Sequence, residues 1–269
     1  MQSKVIKWTL IALGVAFIAL MLILPLVMVL VYALRQGWEI FIAAILDDYA
    51  VKALNLTLLA ASVTLVVNTV FGVFAAWTIT KFRFRGKQVL TTLIDIPFSI
   101  SPIIAGLVFI MVFGRIGWAY PILELWDVKI VFAVPGIVLA TIFVTFPFVS
   151  RELIPLMQAQ GNEEEEAAAL MGARGFHIFR KVTLPHIKWG LLYGVILCTA
   201  RALGEFGAVS VVSGHLRGKT NTLPLHVEIL FNEFRLTAAF SVAAVLVIIA
   251  IVILILRNIV EYKLKREEG

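Results

Sequence analysis

Arg201 and Glu205 have the most unusual chemistry for their surroundings, because they place two opposite charges inside an apolar stretch. A charge in such a stretch is costly unless it is paired or faces a water-filled cavity. Their spacing of four residues puts both on one face of a helix. They therefore either form a mutually satisfied pair that fixes helix packing or a gate, or offer the Arg201 guanidinium to an anion. Glu205 would repel that anion unless its charge were neutralised, which favours the pair.

Four serines in apolar segments are candidate hydrogen-bond donors to a polar ligand. Ser99 and Ser101 flank a break near prolines, and Ser210 and Ser213 follow Glu205 along its segment. Hydroxyls, backbone N–H groups and helix N-termini are the groups that replace water around an anion. The alternative is ordinary packing, in which a serine hydroxyl bonds its own helix backbone.

The remaining polar residues do not form the pattern of a catalytic or metal site. The four histidines are scattered, without carboxylates or cysteines at metal-ligand spacing, so no metal site is predicted. Cys198 is the single cysteine, which excludes an intrachain disulfide. The sequence contains no phosphate-binding glycine loop. We therefore predict that the chain is not an enzyme and does not itself hydrolyse ATP.

The elements that position these residues are predicted to be membrane helices. Of 269 residues, 61% are hydrophobic and 15% charged, against roughly 45–50% and about 25% in soluble domains. A bilayer core needs about 20 helical residues per crossing. Pro97, Pro102, Pro135 and Pro147 interrupt the third and fourth apolar runs. The sequence thus predicts an all-α membrane protein with about six transmembrane helices, at residues 8–34, 53–80, 89–113, 130–150, 187–213 and 236–258.

The distribution of basic residues predicts the orientation. With six crossings and the N-terminus inside, 15 Lys and Arg residues lie in inner segments, seven in outer segments, and Arg201 within a span. The positive-inside rule then places both termini in the cytoplasm. The predicted organisation is an N-terminal helix and outer loop at 1–52, a core at 53–258 and a cytoplasmic tail at 259–269.

The longest polar stretch, 151–188, is predicted to form two short helices on the cytoplasmic side. Asn162 is a good N-cap, and the acidic run Glu163–Glu166 suits the first turn of a helix that Gly172 ends. A second helix, at about 175–182, is expected to stop before Pro185. In the outer loop 214–235, the segment 223–234 predicts a short interfacial amphipathic helix, which either covers the helix bundle or contacts an external partner.

This cytoplasmic loop resembles a known motif. Glu166-Ala167-Ala168, three residues, Gly172, nine residues and then Val182-Thr183-Leu184-Pro185 is similar to the EAA motif of ABC importer permeases, with Val182 where that family usually has Ile. The segments 57–77, 84–109, 143–157 and 201–214 look like the sulfate/thiosulfate and molybdate branch of that family.

The resemblance implies a type I ABC importer permease of a bacterial inner membrane, working in a sulfate/thiosulfate importer. It implies that coupling helices fit a cleft of a separate ATPase, with contacts assigned by the motif to Glu166, Ala167, Ala168, Gly172, Leu184 and Pro185. The implied partners are a related but non-identical permease subunit, two cytoplasmic ATPase subunits that bind ATP and Mg, and an external sulfate/thiosulfate-binding protein. No cofactor is expected in this chain.

Two other functions remain open from the residues alone. A permease for molybdate or tungstate would share this architecture. A secondary anion transporter would need its own ion-coupling site and often shows internal inverted repeats, which the sequence lacks.

Overall fold

A computed structural model describes residues 4–267, and helices connected by short turns make up most of this range. Two π-helical turns, Ala19–Ile23 and Phe179–Thr183, join consecutive α-helices. The α-helices are α1 (Lys4–Ile18), α2 (Leu24–Leu34), α3 (Trp38–Ile45), α4 (Asp48–Lys81), α5 (Lys87–Ser99), α6 (Pro102–Phe113), α7 (Tyr120–Leu125), α8 (Val134–Thr145), α9 (Pro147–Gln160), α10 (Glu163–Leu170), α11 (Gly175–Ile178), α12 (Leu184–Leu203), α13 (Gly207–Val212), α14 (Leu223–Asn232) and α15 (Leu236–Glu267).

Within residues 4–267, five helical segments are long and apolar enough to cross a membrane. The pair α5–α6 reaches that length only when its two helices are taken together, and it is bent by 107°. The predicted third span, 89–113, is therefore not one straight helix. The five unbent segments are Ile6–Leu34, Asp48–Lys81, Val134–Gln160, Gly175–Leu203 and Leu236–Tyr262.

The end of the first membrane segment packs on the start of the last one. The rings of Tyr32 and Phe240 stack with centroids 5.1 Å apart, and the Ser241 hydroxyl donates to the Ala33 carbonyl at 3.3 Å. The rest of the first segment exposes its apolar side chains, and the apolar window of Ile6–Leu34 is 0% buried. Such a surface suits lipid or another membrane helix and not water.

Helix α4 lies parallel to the continuous pair α8–α9, which settles how many times the chain crosses. Contacts between Asn68 and Thr145 and between Thr80 and Met157 share one separation of 77 residues. A constant separation means that both helices start at the same end of the bundle. The intervening segment 82–133 must therefore return across the membrane, and it contains α5 and α6. The bent pair is thus a broken crossing, which gives six crossings in the described range.

The fourth span is longer and shifted relative to the predicted 130–150. Helices α8 and α9 form one segment, Val134–Gln160. The start of the predicted cytoplasmic loop at 151 is therefore helical. Pro135 and Pro147 occupy first-turn positions of α8 and α9, where the missing backbone N–H costs no helical hydrogen bond.

The fifth span also differs from the predicted 187–213. Gly175–Leu203 is one continuous helical segment, so the prediction that a short helix stops before Pro185 is wrong. The π-helical turn Phe179–Thr183 precedes Pro185, which lies in the first turn of α12. A π turn changes the local hydrogen-bond pattern, and the helix passes the proline without ending. The helix ends instead at Leu203, and α13 is separate.

The predicted interfacial helix at 223–234 exists as α14, but it is part of the core. Leu223, Leu225 and Leu230 are buried, and Leu223 and Leu230 pack with residues of α4 and α15. Burial also lowers the pKa of His226 below 6.5, and the positive charge of Arg217 lowers it further. The amphipathic pattern of this segment therefore reflects packing against the protein and not against a lipid surface.

Candidate coupling surface and translocation path

The short helix α10 begins as the sequence predicts. Asn162 occupies the N-cap position, although its side chain makes no capping hydrogen bond. The acidic run Glu163–Glu166 fills the first turn, where negative charge interacts favourably with the helix dipole.

Gly172 ends α10, which confirms its predicted role. Its φ of +85° lies in the left-handed region. The N–H of Gly172 donates to the Ala169 carbonyl at 2.9 Å and that of Ala173 to the Ala168 carbonyl at 3.1 Å. This pair of bonds is the Schellman arrangement. A Cβ at Gly172 would meet nothing within 4 Å, so the requirement for glycine is conformational.

Large apolar side chains project from α10 and the turn that follows. Leu170 is 90% exposed, Met171 84% and Phe176 76%. Glu166 and Ala167 are exposed beside them, and Ala168 is half-buried. An exposed apolar cluster of this kind marks a protein interaction site more often than a solvated surface. We call the exposed set the coupling surface; it comprises Glu166, Ala167, Leu170, Met171, Gly172 and Phe176.

The other two motif residues are not part of this surface. Leu184 is half-buried and packs with the cluster that contains Leu153 and Ile187. Pro185 is exposed in the first turn of α12. Phe179 is half-buried as well, and its ring centroid lies 5.4 Å from that of Trp77.

Glu165 makes the contacts that sequence reasoning missed. Its Oε2 lies 2.7 Å from Nζ of Lys81, and its Oε1 accepts a hydrogen bond from the Thr183 hydroxyl at 2.6 Å. Lys81 also donates to the Gly161 carbonyl at 2.6 Å. The only sequence signal for these contacts was a lysine at the end of one span and an acidic run in a distant loop.

Arg201 and Glu205 form the predicted ion pair, with Nη1 and Oε2 2.5 Å apart. Glu205 is outside the helix, however, since α12 ends at Leu203 and Gly204 is its C-cap. Glu205 is 2% exposed, and its Oε1 accepts a hydrogen bond from the Ala208 N–H at 2.9 Å. The carboxylate therefore caps α13 as well as neutralising part of the Arg201 charge. Arg201 itself keeps 32% of its side chain exposed.

Two helix breaks lie side by side. A Cβ built on Gly207, at the start of α13, would approach Pro102 at the start of α6 to 2.9 Å, and one on Gly106 would approach Val211 to 2.8 Å. Helices α6 and α13 thus run parallel with their N-termini together. Helix N-termini carry partial positive charge. Broken membrane helices of this kind direct such ends toward anionic ligands.

The serines differ in accessibility. Ser99 and Ser101 are exposed and border a cavity of about 470 Å³ along α6. The Ser210 hydroxyl donates to the Gly207 carbonyl at 2.8 Å. This is the bond to its own helix backbone that was predicted as the alternative to anion contact. Ser213 is fully buried and its hydroxyl accepts from the His215 N–H. Ser213 is thus not accessible from the surface of this chain in this conformation, and its contact with an anion stays a prediction.

Asp95 and Arg151 link the broken crossing to α9. Their side chains pair at 3.3 Å, and the Arg151 guanidinium lies 4.6 Å from the ring centroid of Phe98. Both charged side chains are well exposed, so the pair contributes little to stability on its own. Across residues 4–267, no group of three His, Cys, Asp or Glu side chains is arranged to hold a metal ion.

Comparison with known proteins places this geometry among transport components. Residues 68–266 match the family model described as "Binding-protein-dependent transport system inner membrane component". The chain is 47% identical over 258 residues to the sulfate transport system permease protein CysW of Synechocystis sp., covering 96% of this chain and 94% of that protein. It is 45% identical over 262 residues to CysW of Escherichia coli K12, with 97% and 90% covered. It is 34% identical over 250 residues to CysT of Salmonella typhimurium, with 93% and 90% covered.

Two solved structures share the fold. One is a bacterial ABC transporter involved in import of the acidic polysaccharide alginate, with a TM-score of 0.77, 16% identity and 97% of this chain and 96% of that chain covered. The other is a bacterial alginate ABC transporter in complex with an alginate pentasaccharide-bound periplasmic protein, with a TM-score of 0.79, 16% identity and 94% and 92% covered.

Proposed function

Because this chain belongs to the family of binding-protein-dependent transport system inner membrane components, we propose that it is one permease subunit of an ATP-driven sulfate importer. The observation that carries the substrate is the identity of 45–47%, over nearly the whole chain, with proteins named sulfate transport permease CysW. Thiosulfate is a related substrate of the same proposed system. The names of these relatives support neither a molybdate or tungstate permease nor a secondary transporter.

The proposed assembly has a second, related permease and three further subunits. The similarity to CysT supports a non-identical permease partner. An external binding protein delivers the anion, as the family description indicates. Two ATPase subunits bind ATP and Mg, and one of them docks on the coupling surface. The termini, like this surface, are then cytoplasmic in a bacterial inner membrane.

The proposed path for the anion runs past the two adjacent helix breaks. The α6 N-terminus has no side-chain cap, so its first N–H groups are able to bond an anion. Ser99 and Ser101 supply hydroxyls beside it, and Arg201 supplies a half-exposed cation. Glu205 lowers the net charge there through its pair with Arg201, which allows an anion to leave as well as to bind.

Reconstitution tests this function directly. The purified complex of both permeases and the ATPases, in liposomes with the external binding protein, should accumulate labelled sulfate only when ATP is supplied. Excess thiosulfate should compete, and molybdate should not. Efficient molybdate uptake without sulfate uptake would overturn the substrate.

One variant tests the proposed path. Arg201→Gln should reduce sulfate uptake by about tenfold, the size expected for loss of one charge-assisted hydrogen bond, while the complex still assembles. Arg83→Gln, at an exposed position in the inner loop, removes the same charge away from the path and should have no effect. Equal uptake by both variants would exclude Arg201 from the path.

A further inference from the structure

The four glutamates at the start of α10 lie in different environments. Glu163 and Glu166 are exposed, and Glu164 is exposed although it contacts His186 at 3.1 Å. Glu165 keeps only 17% of its side chain exposed. Its carboxylate is the least exposed of the four, and it contacts two different membrane segments through Lys81 and Thr183.

Glu165 and Lys81 connect α10 to three membrane segments at once. Lys81 is the last residue of α4, and only 10% of its side chain is exposed. Thr183, the second partner of Glu165, is a buried residue of the π-helical turn before α12. Gly161, whose carbonyl Lys81 also contacts, is the C-cap of α9. Charge-assisted bonds with little solvent access are stronger than those of exposed pairs.

The three connected segments already form one packed body. Residues of α4, α9 and α12 share a buried cluster that continues to this end of the bundle, comprising Ala76, Val149, Leu153, Met157, Ile187 and Cys198. The broken crossing α5–α6 is attached to α9 by the exposed pair Asp95–Arg151 and the nearby ring contact of Phe98 with Phe148. A force on α10 therefore reaches α4, α9 and α12 together, and it reaches α5–α6 through their packing on α8, α9 and α13.

The remaining side chains of α10 provide little other attachment. Leu170 and the C-cap residue Met171 are almost fully exposed. The contact of Glu164 with His186 of α12 is solvent-accessible on both sides. Apart from the chain connections at its ends, α10 is thus held to the helices mainly through Glu165.

We propose that Glu165 is a positioning residue for energy coupling, through which displacement of α10 by the ATPase moves α4, α9 and α12 as one body against α5–α6. The proposal rests on the proposed function, since it requires an ATPase on the coupling surface. It assigns separate roles to neighbouring glutamates: Glu166 faces the partner, and Glu165 transmits the movement.

The test compares sulfate uptake with ATP hydrolysis in the same reconstituted complex. Glu165→Ala should leave ATPase co-purification intact and ATP hydrolysis within about twofold, while uptake per ATP falls by about tenfold, because a charge-assisted contact is lost. Glu164→Gln is the matched control and should keep the wild-type ratio. Glu165→Gln retains a hydrogen-bonding group toward Thr183, so its uptake per ATP should fall less than that of Glu165→Ala. It takes the place of the alanine variant in the comparison if that variant does not assemble.

A double-mutant cycle identifies Lys81 as the partner. If the two side chains act through one contact, Lys81→Met and Glu165→Ala together should lower uptake per ATP no more than either alone. Fully additive losses would overturn the pairing, and an unchanged ratio in Glu165→Ala would overturn the proposal. Absence of sulfate uptake by the wild-type complex would instead contradict the proposed function, so the two failures are distinguishable.

Discussion

At the scale of single residues, Gly172 is the position where sequence and structure agree most directly and where a substitution is most informative. A β-branched residue held at positive φ costs roughly 1–2 kcal/mol. Gly172→Val should therefore unravel the end of α10 and weaken ATPase co-purification by about tenfold, whereas Gly172→Asn should be milder because Asn tolerates this conformation. Gly175→Val is the control, since Gly175 has an ordinary φ and open space around it. Equal weakening by the two valine variants would show that backbone conformation is not the cause.

The sequence also allowed the Arg201–Glu205 pair to be predicted, but not the second role of Glu205. A spacing of four residues implies a pair on a helix, and the pair forms even though the helix ends between its members. The capping of α13 by Glu205 depends on where the chain breaks, which no local pattern indicated. The contacts of Glu165 depend on Lys81 and Thr183 from two distant segments, so they too required the tertiary structure.

At the scale of elements, apolar length predicted the existence of the spans better than their ends. Proline was the main source of error, because its effect on a helix depends on its position in the helix. Pro147 begins a helix that continues the preceding one, and Pro185 follows a π-helical turn without ending its segment. Near Pro102 the chain does bend sharply, by 107°. For α14, the amphipathic pattern predicted an apolar face but could not decide between the bundle and an external partner as what covers it; the structure shows that α4 and α15 do.

The close packing of α6 on α13 gives a prediction at this scale. Gly106→Val would place its Cβ about 2.8 Å from the Ala208 carbonyl and from Val211, and the two helices would have to separate. Overpacking of this kind costs typically about 1–3 kcal/mol, so the melting temperature of the detergent-solubilised complex should fall by several degrees. Gly14→Val, where a Cβ meets nothing within 4 Å, should leave it unchanged. A similar melting temperature for both variants would show that α6 and α13 are not in tight contact.

At the scale of the whole molecule, the parallel arrangement of α4 with α8–α9 requires six crossings, and that number determines on which side each loop lies. If α5–α6 crosses, the loops containing Gln36 and Trp126 are on one side and the loop containing Arg83 is on the other. A membrane-impermeant maleimide applied to intact cells should label Gln36→Cys and Trp126→Cys, in a background with Cys198→Ala. Arg83→Cys should react only after permeabilisation.

The same experiment separates a broken crossing from a re-entrant loop. A re-entrant α5–α6 would return the chain to its starting side, so the cysteines at positions 83 and 126 would react from the same side and position 36 from the other. That result would leave five crossings and place the ends of the chain on opposite sides of the membrane. It would also conflict with the constant separation of 77 residues between Asn68 and Thr145 and between Thr80 and Met157, because α4 and α9 could then no longer be parallel neighbours.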